Sequence, residues 1–236
     1  DLNEVLSAQG NSLEECLNAG MYKTIVAGLL LTDGLDYGSL PKGLLKFHRY
    51  DSENRTPAQE HLVEGTQYAV GKGKKVRIHF TVSPEHEPKF KAEIGRVLPS
   101  IKAASGLDFE VTYSQQKKST DTIAVNMDNT AFLEDDGSLL FRPAGHGALL
   151  ENLNDMEADL IFIKNVDNVV PDRLKAPTKA YKMAIAGLLL EVQDKIFEAL
   201  RAMDEEVSHE SVGQALKVYN DELGGQIPPT ASSESL

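Results

Sequence analysis

Residues 74–83, 84–105 and 108–114 read KKVRIHFTVS, PEHEPKFKAEIGRVLPSIKAAS and DFEVTYS. The first and third stretches are rich in β-branched and aromatic residues, which favour strands, and the middle stretch has the apolar spacing of a helix. A strand, a helix and a second strand in this order predict a β-α-β unit, which joins two parallel strands. We therefore expect an α/β fold.

Helices are predicted on the N-terminal side of this unit. Ser12 and Glu15 form the pattern of a capping box, so we expect a first helix through residues 13–31. A second helix is predicted over residues 56–69, because Pro57 suits the first turn of a helix.

Short strands and further helices are predicted on the C-terminal side. Residues 121–127 and 138–143 indicate an antiparallel excursion with Asp136 and Gly137 at its turn. The apolar run ADLIFIKNV predicts a buried strand over residues 158–166. Helical patterns follow at about 147–154, 177–206 and 210–223. We expect one α/β domain over residues 1–223, which can be a fragment of a longer protein, and a flexible tail over 224–236.

Composition limits the function classes. The chain carries 24 Lys plus Arg against 36 Asp plus Glu, and its net charge of -12 repels the phosphate backbone of nucleic acids. The single cysteine, Cys16, excludes a disulfide framework, and no apolar run reaches the roughly 18 to 20 residues that a membrane span needs. We expect a soluble, cytoplasmic protein that binds neither nucleic acid nor membranes.

Asp167 directly follows the predicted strand over residues 158–166, and α/β folds bind ligands at such strand ends. A carboxylate there is costly unless it binds a metal, pairs with a cation or caps a helix. One carboxylate, completed by water and phosphate oxygens, suits Mg²⁺. The alternative is that Asp167 and Asn168 only shape a turn.

Gly145 and Gly147 flank His146 at the start of a predicted helix, where missing side chains let a ligand approach the backbone. His146 alone is typical of a structural histidine. In combination with Asp167, about twenty residues further on, this glycine loop predicts a binding role.

A hydrolytic metal site is a competing interpretation. Its ligands would come from His79, His86, His146, Asp121 and Asp167. No two of these histidines have the i, i+4 helical spacing of a zinc protease, so the spacing disfavours this interpretation.

The order of these loops resembles that of the UDP-sugar and UDP-N-acetylhexosamine pyrophosphorylases, which share a GT-A-like nucleotidyltransferase fold. The matching segments are GSLPKGLLKFH at 38–48, VRIHFTVSPEHEPKF at 76–90, VTYSQQ at 111–116, FRPAGHGAL at 141–149 and IFIKNVDNVV at 161–170. Residues 34–172 also resemble a bacterial family known as domain of unknown function 4301. The resemblance implies a GT-A-like (Rossmann-like), mixed but mostly parallel sheet flanked by helices, with a small antiparallel excursion.

The resemblance also implies roles for single residues. Gln116 would hold the uracil ring, and Gly145 and Gly147, with His146 between them, would give the base close contact with the backbone. Asp167 would ligate Mg²⁺. Phosphate would be met by Lys42 or Lys46.

Two function hypotheses follow from the resemblance. The first is a Mg²⁺-dependent transfer of a nucleotidyl group, uridylyl by preference, from a nucleoside triphosphate to a sugar 1-phosphate with release of pyrophosphate. Such enzymes begin with a strand and a glycine-rich triphosphate loop, which the residues before Lys42 do not resemble. The alternative is therefore a catalytically incomplete nucleotide- or sugar-binding module.

Overall fold

The structure is a computed structural model that describes residues 1–226. Its contacts divide the chain into two compact units, Asp1–Arg173 and Leu174–Leu236. The single domain expected over residues 1–223 stays a prediction. Residues 227–236 of the expected flexible tail lie outside the described residues.

The first unit contains six α-helices and seven short or medium strands in its described residues. The helices are α1 (Leu2–Ala8), α2 (Leu13–Asn18), α3 (Tyr22–Leu30), α4 (Pro57–Tyr68), α5 (Glu87–Ser105) and α6 (Leu150–Asn154). The strands are β1 (His48–Arg49), β2 (Asn54–Arg55), β3 (Val70–Gly71), β4 (Lys75–Thr81), β5 (Asp108–Ser114), β6 (Thr122–Ile123) and β7 (Phe141–Arg142).

The β-α-β unit predicted from the sequence is confirmed as β4, α5 and β5. Strands β4 and β5 pair in parallel, from Lys75 opposite Asp108 to Thr81 opposite Ser114. Helix α5 ends at Gly106, which adopts a left-handed conformation with φ 66° that suits glycine. Strand β3 adds to the other side of β4 in antiparallel pairing.

The hydrophobic core lies on one face of this sheet, under α4 and α5. Alternate residues of the strands point toward it, because successive side chains of a strand face opposite sides. The buried core consists of Leu44, Ala58, Leu62, Val76, Phe80, Val82, Phe90, Ile94, Val97, Ile101 and Phe109.

The remaining strand pairs are short and antiparallel. Strand β1 pairs with β2, and β6 pairs with β7. The antiparallel excursion is therefore confirmed, and Gly137 at its turn has φ 83°. The mixed α/β class is also confirmed, but parallel pairing within the described residues is confined to β4 and β5. The mostly parallel GT-A-like sheet stays a prediction.

Two elements differ from the sequence prediction. The single helix expected over residues 13–31 is two helices, α2 and α3, because the chain turns at Gly20 with φ 66°. The capping box of Ser12 and Glu15 is confirmed at the start of α2. Residues 158–166, expected to form a buried strand, form no ladder, and Ile163 is 70% exposed.

The second unit contains a pair of helices in its described residues. Helix α7 (Lys175–Glu205) is followed by α8 (His209–Asp221), and Ser208 caps α8 through the backbone of Ser211. Lys195 of α7 bonds Glu222 beyond α8, with Nζ 2.7 Å from Oε1. Across residues 1–226, no helix combines the length and the apolar character needed to cross a membrane.

Candidate functional site

Lys42 and Asp167 form an ion pair, although 125 residues separate them in the sequence. The distance from Lys42 Nζ to Asp167 Oδ2 is 3.0 Å, and the two side chains are 68% and 37% exposed. The pair is therefore accessible to a ligand, and surface pairs of this kind contribute little to stability. Two of the predicted site residues meet here.

The surroundings of Asp167 keep its carboxylate ionised. The hydrogen bond from Lys42 and the positive charge of that lysine lower the pKa of Asp167 below the ordinary value of 3.8. A carboxylate can bind a metal ion, and an ammonium group beside it can bind the phosphate that the metal ion also holds.

Gly43 determines how closely Lys42 approaches Asp167. The short 3₁₀ turn Lys42–Leu44 packs against Phe90 in the first turn of α5 and against Val166. A Cβ atom added to Gly43 would lie 2.5 Å from Phe90 Cζ and 2.8 Å from Val166 Cγ2, which is too close for any side chain. The missing side chain therefore lets the turn carrying Lys42 sit directly beside the residue that precedes Asp167.

Three side chains of helix α4 hold the segment over residues 162–166, which leads to Asp167. His61 Nε2 lies 3.0 Å from the backbone oxygen of Val166, and Lys164 Nζ lies 2.6 Å from Glu64 Oε1. The ring of Tyr68 contacts the ring of Phe162 with centroids 4.8 Å apart. His61, Glu64 and Tyr68 lie on one face of α4, because they are spaced i, i+3 and i+7. They contact every second residue of the segment. The segment is therefore extended but is held by side chains rather than by a strand ladder.

Glu64 is a buried charge within this contact. Its side chain is 1% exposed and that of Lys164 is 10% exposed. Burial alone raises the pKa of Glu64, but the hydrogen bonds from Lys164 and Tyr68 outweigh burial and lower that pKa below 4.5. The carboxylate stays ionised because it is paired, as buried charges require.

The glycine loop is open on its surface. Residues 146–149 form a 3₁₀ turn that leads directly into α6. A Cβ atom added to Gly145 or Gly147 would meet no atom within 4 Å. Packing within the described residues therefore does not require glycine at either position, and the backbone of this loop is free for approach by a ligand.

Gln116 and Lys46 are engaged away from Asp167. Gln116 Nε2 donates to Asp121 Oδ1 over 3.3 Å, which is a long hydrogen bond. Lys46 Nζ donates to the backbone oxygen of Asn54 at 3.0 Å and so supports the β1–β2 hairpin. Of the two lysines proposed to meet phosphate, Lys42 is the one that pairs with Asp167.

Asn152 connects the glycine loop with the end of β5, and sequence reasoning did not find it. It lies on α6, is 6% exposed, and donates from Nδ2 to Ser114 Oγ at 2.9 Å and to the backbone oxygen of Gln115 at 2.8 Å. The two loops proposed to bind a nucleoside are therefore tied together. An asparagine in a helical pattern carries no sequence signal of such a contact.

The histidines proposed for a hydrolytic site have separate environments. His79 bonds Thr112 and Ser114 across the β4–β5 pair, at 2.8 Å in each case, and burial lowers its pKa below 6.5. His86 lies beside Glu85 at the start of α5. Residues 1–226 contain no group of three or more His, Cys, Asp or Glu side chains arranged to hold a metal ion. The structure therefore does not support that alternative.

The structure is that of a mixed α/β protein that carries an accessible charged pair, Lys42 and Asp167, and an open glycine loop. The chain belongs to the family described as a domain of unknown function (DUF4301), which matches residues 1–236. It matches no curated protein and no solved structure.

Proposed function

We propose that the chain is a Mg²⁺-dependent nucleotidyltransferase that joins a nucleoside triphosphate, UTP by preference, to a sugar 1-phosphate. The observation that carries the proposal is the accessible Lys42–Asp167 pair, with Nζ and Oδ2 3.0 Å apart. The resemblance of the surrounding loops to the UDP-sugar pyrophosphorylases supports it. The larger GT-A-like sheet of those enzymes is part of the same proposal.

The reaction needs positioning and charge rather than a covalent intermediate. An oxygen of the sugar 1-phosphate attacks the α-phosphorus, a new P–O bond forms, and the bond to the β-phosphate breaks as pyrophosphate leaves with the electron pair. Lys42 stabilises the negative charge on the phosphate oxygens, and the loops of Gln116 and Gly145–Gly147 orient the base.

The donor set at Asp167 fits a magnesium ion that is shared with a substrate. Mg²⁺ binds through one or two carboxylates and completes its shell with water and phosphate oxygens, so it does not need a cluster of three protein ligands. Asp167 is 37% exposed and its partner Lys42 is 68% exposed, so the lysine can turn from the carboxylate to a phosphate. When bound, Mg²⁺ would neutralise the charge that develops on the phosphates.

The test follows pyrophosphate release by the chain with Mg²⁺, UTP and a panel of sugar 1-phosphates, together with calorimetry of Mg²⁺–UTP binding. Asp167→Asn keeps the shape and removes the charge, so we expect it to lose Mg²⁺-dependent binding and turnover while its melting temperature stays unchanged. A variant that binds and reacts normally but melts earlier would show that Asp167 is only structural.

Asp108→Asn is the matched control. Asp108 is an exposed carboxylate paired with Lys102 at 2.7 Å, and it lies at the opposite end of β5 from the candidate site. We expect this variant to bind and react like the unmodified chain. Binding of Mg²⁺–UTP without any pyrophosphate release would instead favour the nucleotide-binding module, and absence of binding would contradict both functions.

A further inference from the structure

We infer that His61 is a positioning residue for the candidate site, because its Nε2–H group fixes the Val166 carbonyl and thereby the direction in which Asp167 leaves the extended segment. The inference rests on the proposed function in taking Asp167 as the group that binds the metal. The side chain of His61 bonds the backbone oxygen of Val166, so its effect on Asp167 passes through that backbone.

The protonation state of His61 follows from its partner. A backbone carbonyl only accepts hydrogen bonds, so the Nε2 atom 3.0 Å from the Val166 oxygen must carry a proton. Burial lowers the pKa of His61 below 6.5, so the ring is neutral at pH 7 and has one N–H group. His61 is therefore the Nε2–H tautomer.

Side chains hold the segment before Asp167, and a hydrogen bond from Asn168 N to the Asn165 oxygen at 3.1 Å closes the turn that contains Asp167. Val166 is held by His61 on one side and by the turn at Gly43 on the other, and Lys164 is held by Glu64. No strand ladder fixes residues 158–166. Removing the Nε2–H donor leaves a partly buried carbonyl without that partner, and the peptide next to Asp167 then reorients to reach water.

Three variants separate a positioning role from a general packing role. His61→Ala removes the donor, His61→Gln keeps an N–H donor at a similar reach, and Leu62→Val disturbs the core at the neighbouring position of α4, where Leu62 is 0% exposed. Each variant is compared with the unmodified full chain for Mg²⁺ affinity by calorimetry. Crystal structures of each then give the distance from Lys42 Nζ to Asp167 Oδ2.

We expect His61→Ala to bind Mg²⁺ about 10- to 100-fold more weakly, as is typical when a group that orients a metal ligand is lost. The Lys42–Asp167 distance should exceed hydrogen-bond range in that variant. His61→Gln and Leu62→Val should keep both the affinity and the distance. Unchanged affinity and distance in His61→Ala, or an equal loss in His61→Gln, would overturn the inference.

If His61→Ala does not fold, a measurement on the unmodified chain tests the positioning role of His61. Imidazole ¹⁵N chemical shifts distinguish the two neutral tautomers, and the inference requires protonation at Nε2. Protonation at Nδ1 would overturn it. The tautomer and the Lys42–Asp167 distance are both measured without nucleotide. Failure of the chain to bind Mg²⁺–UTP would therefore contradict the proposed function, while these two measurements would still test the role of His61.

Discussion

Replacement of Gly43 by alanine tests whether the turn at Lys42 is as tightly packed as the structure indicates. The new Cβ atom would lie 2.5 Å from Phe90 Cζ, 2.8 Å from Val166 Cγ2 and 3.0 Å from Phe90 Cε1. Phe90 is 4% exposed and lies in the core, so its ring cannot swing into solvent. Inserting a methyl group into a packed core typically costs about 1–3 kcal/mol, and we expect Gly43→Ala to lower the free energy of unfolding by this amount.

Urea denaturation followed by circular dichroism measures this change, since the chain has no tryptophan to report by fluorescence. Gly95→Ala is the control, because Gly95 lies within α5 and a Cβ there meets nothing within 4 Å. That control should gain about 0.5–1 kcal/mol from the better helix propensity of alanine. Adding Phe90→Leu to Gly43→Ala should cost less than the sum of the two single changes, because the smaller side chain makes room for the methyl group. A Gly43→Ala variant as stable as the unmodified chain would refute the packing argument.

Three further predictions concern the buried charges, the histidines and the base. Lys164→Met should destabilise the fold by about 3–5 kcal/mol in urea denaturation, since it removes the cation that pairs with the buried Glu64 carboxylate, whereas adding Glu64→Gln should restore much of the loss. Burial lowers the pKa of His61 and His79 below 6.5, so these two histidines bind protons more readily in the unfolded chain. The stability that the neutral rings provide is therefore complete above pH 6.5 and is lost as the pH falls. Unfolding measured between about pH 7 and pH 5 should therefore depend less on pH in His61→Gln, and an identical pH dependence would contradict this assignment. Calorimetry with UTP, CTP, ATP and GTP should show a preference for UTP that Gln116→Ala reduces, and equal affinities would contradict the uracil hypothesis.

The sequence predicted those parts of the fold whose signals are local. The β-branched and aromatic residues of β4 and β5 and the helical spacing of α5 follow one another closely along the chain, so the β-α-β unit could be recognised. Pro57 similarly marked the start of α4, where Thr56 accepts a hydrogen bond from the backbone of Gln59. Such signals depend on the chain close to them and not on the tertiary structure.

The site depends on contacts that local signals do not contain. Asp167 was recognised as a candidate, but its pairing with Lys42 joins residues 125 positions apart. The apolar run before Asp167 was predicted to be a central strand. Side chains of α4, rather than neighbouring strands, bond and pack against this segment. A short apolar run cannot distinguish these two surroundings, because it fits a strand buried on both faces of a sheet as well as an extended segment packed against a helix.

The arrangement around Asp167 separates the residues that act on a ligand from those that stabilise the fold. The Lys42–Asp167 pair is accessible and contributes little to folding, whereas the Glu64–Lys164 pair is buried and strongly affects stability when one partner is removed. His61 bonds Val166, which lies between Lys164 and Asp167 on the same segment. It affects both properties because one hydrogen bond satisfies a partly buried carbonyl and also orients the residue after it. Variants of the exposed pair should therefore change binding at constant stability, variants of the buried pair should change stability first, and only His61 should change binding and stability through the same bond.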